Sequence, residues 1–469
     1  MNSPRDHLFI LGAGRPYSGT KPSALVPTST DQVVLDWIIE AFKTLNNPAI
    51  HFIGGYGADQ IKAEFPSVDF IFNTDWDRTG SGTSLLKAPL VPKTTNYSCY
   101  ADTVISPTAV NLLTSISEEV VIAVDTTWQK RYANRTQTDR KMAEKVRLLN
   151  DNVVAIGRDI PITEAHAEFT GLVKFGPKAT EKIAKIRGEL PLDAPNLDVP
   201  AILTAIINSK IKIRAIDIGG SWAELNDRMD LAKFILRSKA EALETLAPLV
   251  KLSVIDPLVK FTFTKWKLNP EHIIEKVFAE FPASLLAVRS SANSEDSWST
   301  SEAGKYHSAL NVPPGNRKAL LEAIGNVFDS YQTQGPRDNV IVQEMVTDLS
   351  VHGVATSRTM QNGAPYYTIN YDDSSDDTTT VTSGNSGNLK LAVAYRHAQE
   401  NLSNLPPHIR NLVPAIKEIE RLVSHDALDI EFAITKRDCI HILQVRPLTM
   451  IATHETEDWD GKIDKEIES

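Results

Sequence analysis

His7-Leu-Phe-Ile-Leu-Gly-Ala-Gly-Arg-Pro-Tyr-Ser-Gly-Thr-Lys-Pro-Ser-Ala-Leu25 is the stretch that decides the fold of the first half of this chain. Its opening run of apolar residues is too short for a helix of ordinary length and ends at glycine. It reads as a buried strand running into a glycine turn. The turn then sets Arg15 and Lys21 among small residues. It has neither the Gly-Lys-Ser/Thr of a P-loop nor the spacing of a dinucleotide fingerprint. Gly12 and Gly14 still permit close approach of a phosphate, and Arg15 and Lys21 can neutralise a triphosphate. The competing reading is a solvated basic turn.

Downstream, the pattern repeats with other loops. Residues 31–46 read as an amphipathic helix. Ala49–Gly54, Val68–Phe72 and Glu119–Val124 read as strands ending at Gly54-Gly-Tyr56, Asn73 and Asp125. Val153–Ile156, Phe169–Phe175 and Ile211–Ile218 are further strand candidates, with helices near 178–187 and 199–208. Strands alternating with helices predict a largely parallel sheet covered on both faces, with ligands at the strand C-termini. Asp102 and Asp125 sit at such ends. Either could hold Mg²⁺ against phosphate oxygens or simply cap a turn. Trp222–Ala240 reads as a helix or helix pair.

A second loop with the same chemistry lies in the other half: Ala287-Val-Arg-Ser-Ser-Ala-Asn-Ser-Glu-Asp296, following a strand. Arg289 offers a planar fork of donors suited to phosphate, against the alternative of a serine-capped polar turn. Further on, Leu428–Ala433 and Cys439–Val445 predict a hairpin. Alternation puts Asp429 and Glu431 on one face of the first strand, and Gln444 and Arg446 on one face of the second. In that hairpin Glu431 and Gln444 could share Mg²⁺ while Arg446 reaches a phosphate. An exposed polar face is the alternative.

The 469 residues exceed what one hydrophobic core organises, so two or three domains are expected. The expected divisions are 1–236, 237–450 and an acidic tail, 451–469. With 59 acidic against 49 basic side chains, the net charge of −10 disfavours general binding to nucleic acid or to anionic membranes. No apolar run approaches a membrane span. Cys99 and Cys439 form no metal or redox motif, and the N-terminus lacks a signal-peptide pattern, so a cytoplasmic protein is expected.

Residues 8–235 resemble the sugar-phosphate nucleotidyltransferases, in particular their cytidylyltransferase branch. The resemblance rests on Gly12-Ala-Gly-Arg15, Lys21-Pro-Ser-Ala-Leu25, Gly54-Gly-Tyr56, Asn73, Thr83-Ser-Leu85, Tyr100-Ala-Asp102, Gly171–Phe175 and Trp222-Ala-Glu-Leu-Asn-Asp-Arg-Met-Asp-Leu231. It implies that Arg15 and Lys21 grip a nucleoside triphosphate, CTP by this branch, beside Gly12 and Gly14. It also implies that Asp102 binds Mg²⁺. The chain departs from the family in a short opening loop, in Ala101 for Gly, and in Asn226 where a second metal-binding Asp often stands.

Residues 237–448 resemble the ATP-grasp nucleotide-binding domain of the phosphoenolpyruvate synthase and pyruvate phosphate dikinase family. Ser238-Lys-Ala-Glu-Ala-Leu243 matches its opening lysine motif and Gln343-Glu-Met345 its adenine strand and hinge. The resemblance implies that Lys239 and Arg289 contact ATP phosphates and that Gln343 and Glu344 hold adenine. Glu431 and Gln444 would bind Mg²⁺, with Arg446 catalytic. Tyr366–Asp373 with Thr380–Gly384 is most similar to the glutamine-kinase branch, which phosphorylates an amide nitrogen. Such enzymes usually continue into a domain with a phosphorylated histidine. Here the sequence runs only a short way past Pro447, and His425 and His441 are expected to be structural. The readings open here are a separate phosphohistidine-domain protein as partner, direct passage of phosphate to the acceptor, or truncation of a longer enzyme.

The fold expected is α/β: an N-terminal Rossmann-like mixed sheet of nucleotidyltransferase type followed by an α+β ATP-grasp domain. The function expected is bifunctional, combining ATP-dependent phosphorylation of a small-molecule acceptor or a histidine carrier with cytidylyl transfer to a phosphorylated small molecule. The alternatives are an ATP-grasp kinase with a weak N-terminal binding domain, motivated by Asn226, and a non-enzymatic nucleotide-sensing module.

Overall fold

The computed structural model describes residues 5–16, 20–28, 32–45, 47–132, 137–189, 197–225, 228–291, 307–331, 338–374, 389–397, 402 and 405–448. The acidic stretch 451–469, Thr380–Gly384 and Asn226 lie outside the described residues. The chain divides into two units, Met1–Phe234 and Ile235–Ser469.

In the first unit the continuous apolar strand β1 (His7–Gly12) forms as its sequence dictates, and Leu8, Phe9 and Ile10 are wholly buried. Burial on both faces is what a parallel strand covered by helices requires. The remaining strands are β2 (Ala49–Gly54), β3 (Asp69–Phe72), β4 (Asn96–Tyr100), β5 (Thr103–Ile105), β6 (Val120–Asp125), β7 (Lys145–Leu149), β8 (Asn152–Gly157), β9 (Ala167–Phe175), β10 (Arg214–Asp217) and β11 (Trp222–Glu224). Nine of them make one sheet in the order β3-β2-β1-β4-β9-β6-β10-β8-β7. The run β3-β2-β1-β4 and the β6–β10 pair are parallel. β9 runs antiparallel between β4 and β6, so the sheet is mixed.

Helix starts are set by local chemistry. Ser106 accepts a hydrogen bond from the Ala109 N–H ahead of Pro107, and Asp198 accepts from the Ala201 N–H at 2.9 Å ahead of Pro200. The helix reading of Trp222–Ala240 is corrected. Trp222–Glu224 is strand, paired antiparallel with β5, and helices occupy Arg228–Ile235 and Lys239–Leu246. The Trp222 indole N–H donates to buried Asp125 at 3.1 Å, and this tertiary bond fixes an extended segment against a helical pattern.

The second unit carries two antiparallel sheets. β12 (Leu258–Thr262), β13 (Leu286–Ser291), β14 (Ser308–Val312) and β15 (Asn339–Glu344) pair in the order β12-β15-β13-β14. Val259, Phe261, Leu286, Val288, Val340 and Val342 line the buried face of this sheet, packed with Ile273, Ile274, Leu320, Ile324 and Phe328. β16 (Leu349–Thr356), β17 (Tyr366–Asp372), β18 (Lys390–Tyr395), β19 (Leu428–Thr435) and β20 (Ile440–Pro447) pair in the order β18-β17-β16-β19-β20. The helix Leu412–Val423 is amphipathic, buries Leu412, Ile416, Ile419 and Val423, and ends on Ser424 in the left-handed region. No helix among the described residues is long and apolar enough to cross a membrane.

Candidate functional sites

In the first unit a cavity of about 910 Å³ opens at the C-terminal ends of β1 and β4. Open α/β sheets bind ligands at such ends. Its wall includes Leu11, Ala13, Gly14, Asn73, Thr79 and Ser81, together with Asp102 and Glu224.

The two loop glycines differ. A Cβ on Gly12 would meet the Phe52 ring at 2.3 Å and the Ala101 Cβ at 2.8 Å, so core packing consumes its missing side chain. Gly14 has nothing within 4 Å and faces the cavity. Arg15 lies 5.7 Å from the Tyr56 ring and 5.5 Å from that of Trp76, and the Tyr56 hydroxyl donates to the Thr20 carbonyl at 2.7 Å. These contacts hold the guanidinium beside the loop rather than in the cavity wall. Lys21 is exposed near the loop's exit, and neither it nor Arg15 lines the cavity.

Asn73 is buried. Its amide donates to Thr79 and Ser84, and its oxygen accepts from Lys87 at 2.8 Å. Asp102 follows β4. Burial, then the nearby charge of Glu224, push its carboxyl up to about 6. Sequence reasoning passed over Glu224. The signal was alternation in β11, which separates it by two residues from inward Trp222. Two crowded carboxylates on a polar cavity wall fit a divalent cation. Asp125 has a structural job: its oxygens accept from the Thr127 N–H and hydroxyl and from the Trp222 indole.

The cavity wall also holds a set that sequence reasoning missed: Tyr132, Asp139, Glu144, Arg158 and Glu168. Glu144 accepts from the Tyr100 hydroxyl at 2.9 Å and from Arg158 at 3.0 Å. Burial pushes its carboxyl up to about 7 although Arg158 and Tyr100 oppose the rise. Tyr132 donates to Glu168 at 2.6 Å. These residues come from a helix, a strand and the segments between elements, and no motif joins them.

In the second unit the hairpin β19–β20 places Glu431 directly opposite Gln444, and Asp429 opposite Arg446. Arg446 donates to one Asp429 oxygen from Nε at 2.8 Å and from Nη2 at 2.6 Å. Arg289, on β13, comes within 3.7 Å of Glu431. Lys239 opens a helix that is N-capped by Ser238. The Ser238 hydroxyl accepts from the Glu241 N–H, and the Ala240 N–H donates to Ser291 at 3.0 Å. The start of this helix is thereby tied to the end of the strand that carries Arg289. Burial pushes the Glu431 carboxyl up, but the charges of Lys239, Arg289 and Arg446 outweigh it and hold it below the usual carboxylate range.

Three cations around Glu431, with Asp429 paired to Arg446, leave an excess of positive charge suited to a polyphosphate. Asp429 is buried, and its carboxyl is pushed up by burial in spite of Arg446. Its second oxygen has no hydrogen-bond partner. The same holds for the buried hydroxyl of Thr356, its register partner on β16. Such orphaned groups are costly unless something outside the described residues satisfies them. Gln343 is buried on β15 and shares a small pocket with Arg289, Glu344 and Met345. The Glu344 carboxylate turns outward to accept from Ser284 at 2.5 Å. His441 bonds Asp256 at 2.8 Å.

Residues 266–372 match the model of the pyruvate phosphate dikinase AMP/ATP-binding domain. The CTP:phosphoglutamine cytidylyltransferase of Campylobacter jejuni subsp. jejuni is 25% identical over 245 residues, 48% of this chain and 96% of that protein. Among solved structures, the inositol-1-phosphate CTP transferase of T. maritima has a TM-score of 0.38 at 15% identity, covering 48% of this chain and 91% of its own. The CTP:phosphocholine cytidylyltransferase of Streptococcus pneumoniae has a TM-score of 0.35 at 17% identity, covering 49% and 97%. The chain is a transferase-type enzyme that joins a cytidylyltransferase-like N-terminal region to an ATP-binding domain of the pyruvate phosphate dikinase type.

Proposed function

We propose that the first unit transfers a cytidylyl group from CTP to a phosphorylated small molecule of the phosphoglutamine kind. We further propose that the second unit uses ATP to phosphorylate such an acceptor at nitrogen. The observation that carries this reading is the presence in one chain of two chemically distinct phosphate sites. One is a cavity whose wall includes Asp102, Glu224 and Gly14; the other is the Lys239–Arg289–Arg446 cluster around Glu431.

In the first reaction an oxygen of the acceptor phosphate attacks the α-phosphorus of CTP. A new P–O–P bond forms, the bond to pyrophosphate breaks, and pyrophosphate leaves. Arg15 and Lys21 supply positive charge at the mouth of the site, and Asp102 with Glu224 would hold Mg²⁺. In the second, a P–N bond to the acceptor forms as a P–O bond of ATP breaks, and the nitrogen gives up a proton. Lys239, Arg289 and Arg446 hold the phosphates. Glu431 and Gln444 would hold Mg²⁺, while Gln343 and the hinge at Glu344 seat the adenine. Mg²⁺ at either site would supply charge neutralisation to phosphate oxygens. The acceptor nitrogen is the amide of glutamine or a histidine on a separate carrier protein, and both reactions fit the cytoplasm.

One set of assays tests this. Purified protein is mixed with ATP or CTP and candidate acceptors, with and without a histidine-domain protein, and products are followed by phosphorus NMR. The expected outcome is a phosphoramidate signal with ATP and glutamine, and pyrophosphate release with CTP and phosphorylated glutamine. Arg289→Ala should abolish ATP use and spare cytidylyl transfer, and Lys21→Ala should do the reverse. Loss of both activities from either variant, with both units still folded, would show that the two sites are not independent.

A further inference from the structure

Part of the wall of the first unit's cavity is charged in a way that a sugar acceptor would not need. Asp139, Glu144 and Glu168 line it with a single guanidinium, Arg158, among the described lining residues. Hydroxyl groups are met as well by neutral donors and acceptors, and burying carboxylates for them would be wasteful. The Tyr100 and Tyr132 hydroxyls are bonded to Glu144 and Glu168, and Arg158 would repel a lone cation.

The salient pair is Glu144 and Arg158, 3.0 Å apart. Glu144 is buried and pinned by Tyr100, whereas Arg158 is about half exposed, at 48%, and can swing. An α-amino acid carries an ammonium and a carboxylate on one carbon, a charge pair of matching spacing and opposite order. Such a group can dock on the pair head to tail, its ammonium on the carboxylate and its carboxylate on the guanidinium. We propose that Glu144 and Arg158 read the α-ammonium and α-carboxylate of the acceptor, making this cavity selective for a phosphorylated amino acid over phosphorylated sugars or amines. This rests on the cytidylyl-transfer reading above and names its specificity residues. An entering ammonium would also replace the stabilisation that Arg158 gives Glu144 when the guanidinium turns to the substrate carboxylate.

The test uses the full chain with CTP and four probes: N-phosphoryl-glutamine, its Nα-acetyl derivative, its α-methyl ester and phosphocholine. For the wild type, acetylation and esterification should each raise KM about ten-fold or more, since each removes one charge-assisted contact. Glu144→Gln, of equal shape, should bring the penalty for acetylation below about three-fold and leave that for the ester. Arg158→Gln, at a half-exposed position, should do the converse. Equal turnover of all probes by the wild type, unchanged penalties in both variants, or a preference for phosphocholine would each overturn the proposal. If CTP is not consumed with any probe, the cytidylyl-transfer reading fails, and calorimetric binding of the same probes decides the specificity claim on its own. Ten-fold discrimination lost in the variants supports it, and its absence refutes it.

Discussion

Gly171→Ala should damage the first unit more than any change at the phosphate loop's outer glycine. Gly171 lies on β9 with φ +84°, where an L side chain is strained, beside the irregularity in the β6–β9 pairing. A Cβ there would meet three ring atoms of Tyr100 at 2.4, 2.8 and 2.9 Å. That ring cannot easily retreat, because its hydroxyl is bonded to Glu144 and its edge packs on Phe169. Left-handed strain costs about 1–2 kcal/mol and overpacking about 1–3 kcal/mol. The sum, roughly 2–5 kcal/mol, corresponds to a fall of about 5–15 °C in Tm for a unit of this size. Thermal or urea unfolding reads the change, with hydrogen exchange at β4 and β9 amides assigning it to the first unit. KM for the acceptor should rise as well, because the displaced ring carries Glu144 with it. Gly14→Ala is the control: with nothing within 4 Å, its stability should stay within about 0.5 kcal/mol of wild type. A Gly171→Ala protein as stable as that control would refute the packing argument.

Trp76→Ala removes one of two rings flanking Arg15 and should cost about 0.5–1 kcal/mol of guanidinium placement. It should be seen as a KM for CTP raised about two- to five-fold with kcat little changed. Glu144 titrates near 7 in the folded protein against 4.5 when unfolded. Its contribution is therefore full below about pH 4.5 and lost as pH rises through 7, an upper limit of about 3 kcal/mol. Urea midpoints of wild type minus Glu144→Gln, measured from pH 4 to 8, should fall across that window; a flat difference would contradict the buried carboxyl. Glu431→Gln removes the carboxylate charge that faces Lys239, Arg289 and Arg446 and should destabilise the nucleotide-free second unit by about 1–3 kcal/mol, less than a fully buried pair because Glu431 is partly exposed. Added ATP should recover much of that loss in a thermal-shift assay, since its phosphates supply the missing negative charge.

The parts of this protein that the sequence made legible are those where one local rule suffices. An unbroken apolar run gave β1, and period-two polarity placed Asp429, Glu431, Gln444 and Arg446 on one face of a hairpin that forms with direct Glu431–Gln444 pairing. Strands β4, β7, β14 and β18 were not foreseen. Their segments, such as Asn96-Tyr-Ser-Cys-Tyr100, alternate weakly and owe their extended state to neighbours on the sheet. Trp222–Glu224 was read as helix because periodicity cannot register the indole's bond to a residue 97 positions earlier. The charged set around Glu144 is invisible in the sequence for the same reason. Glu144 becomes notable only when Tyr100 and Arg158 arrive from β4 and the turn after β8. The Arg289–Glu431 approach likewise joins two sheets that the sequence could describe only one at a time.

The contrast between Gly12 and Gly14 bears on how such loops are recognised. Gly12 is demanded by the Phe52 ring and Ala101, whatever the loop binds, so a descendant that had lost all nucleotide chemistry would still keep it in order to fold. Gly14 meets no neighbour among the described residues, so there only what enters the cavity limits a side chain. In a glycine-rich loop of this build, the second glycine is thus the diagnostic of a working site, and the first is a diagnostic of the fold alone.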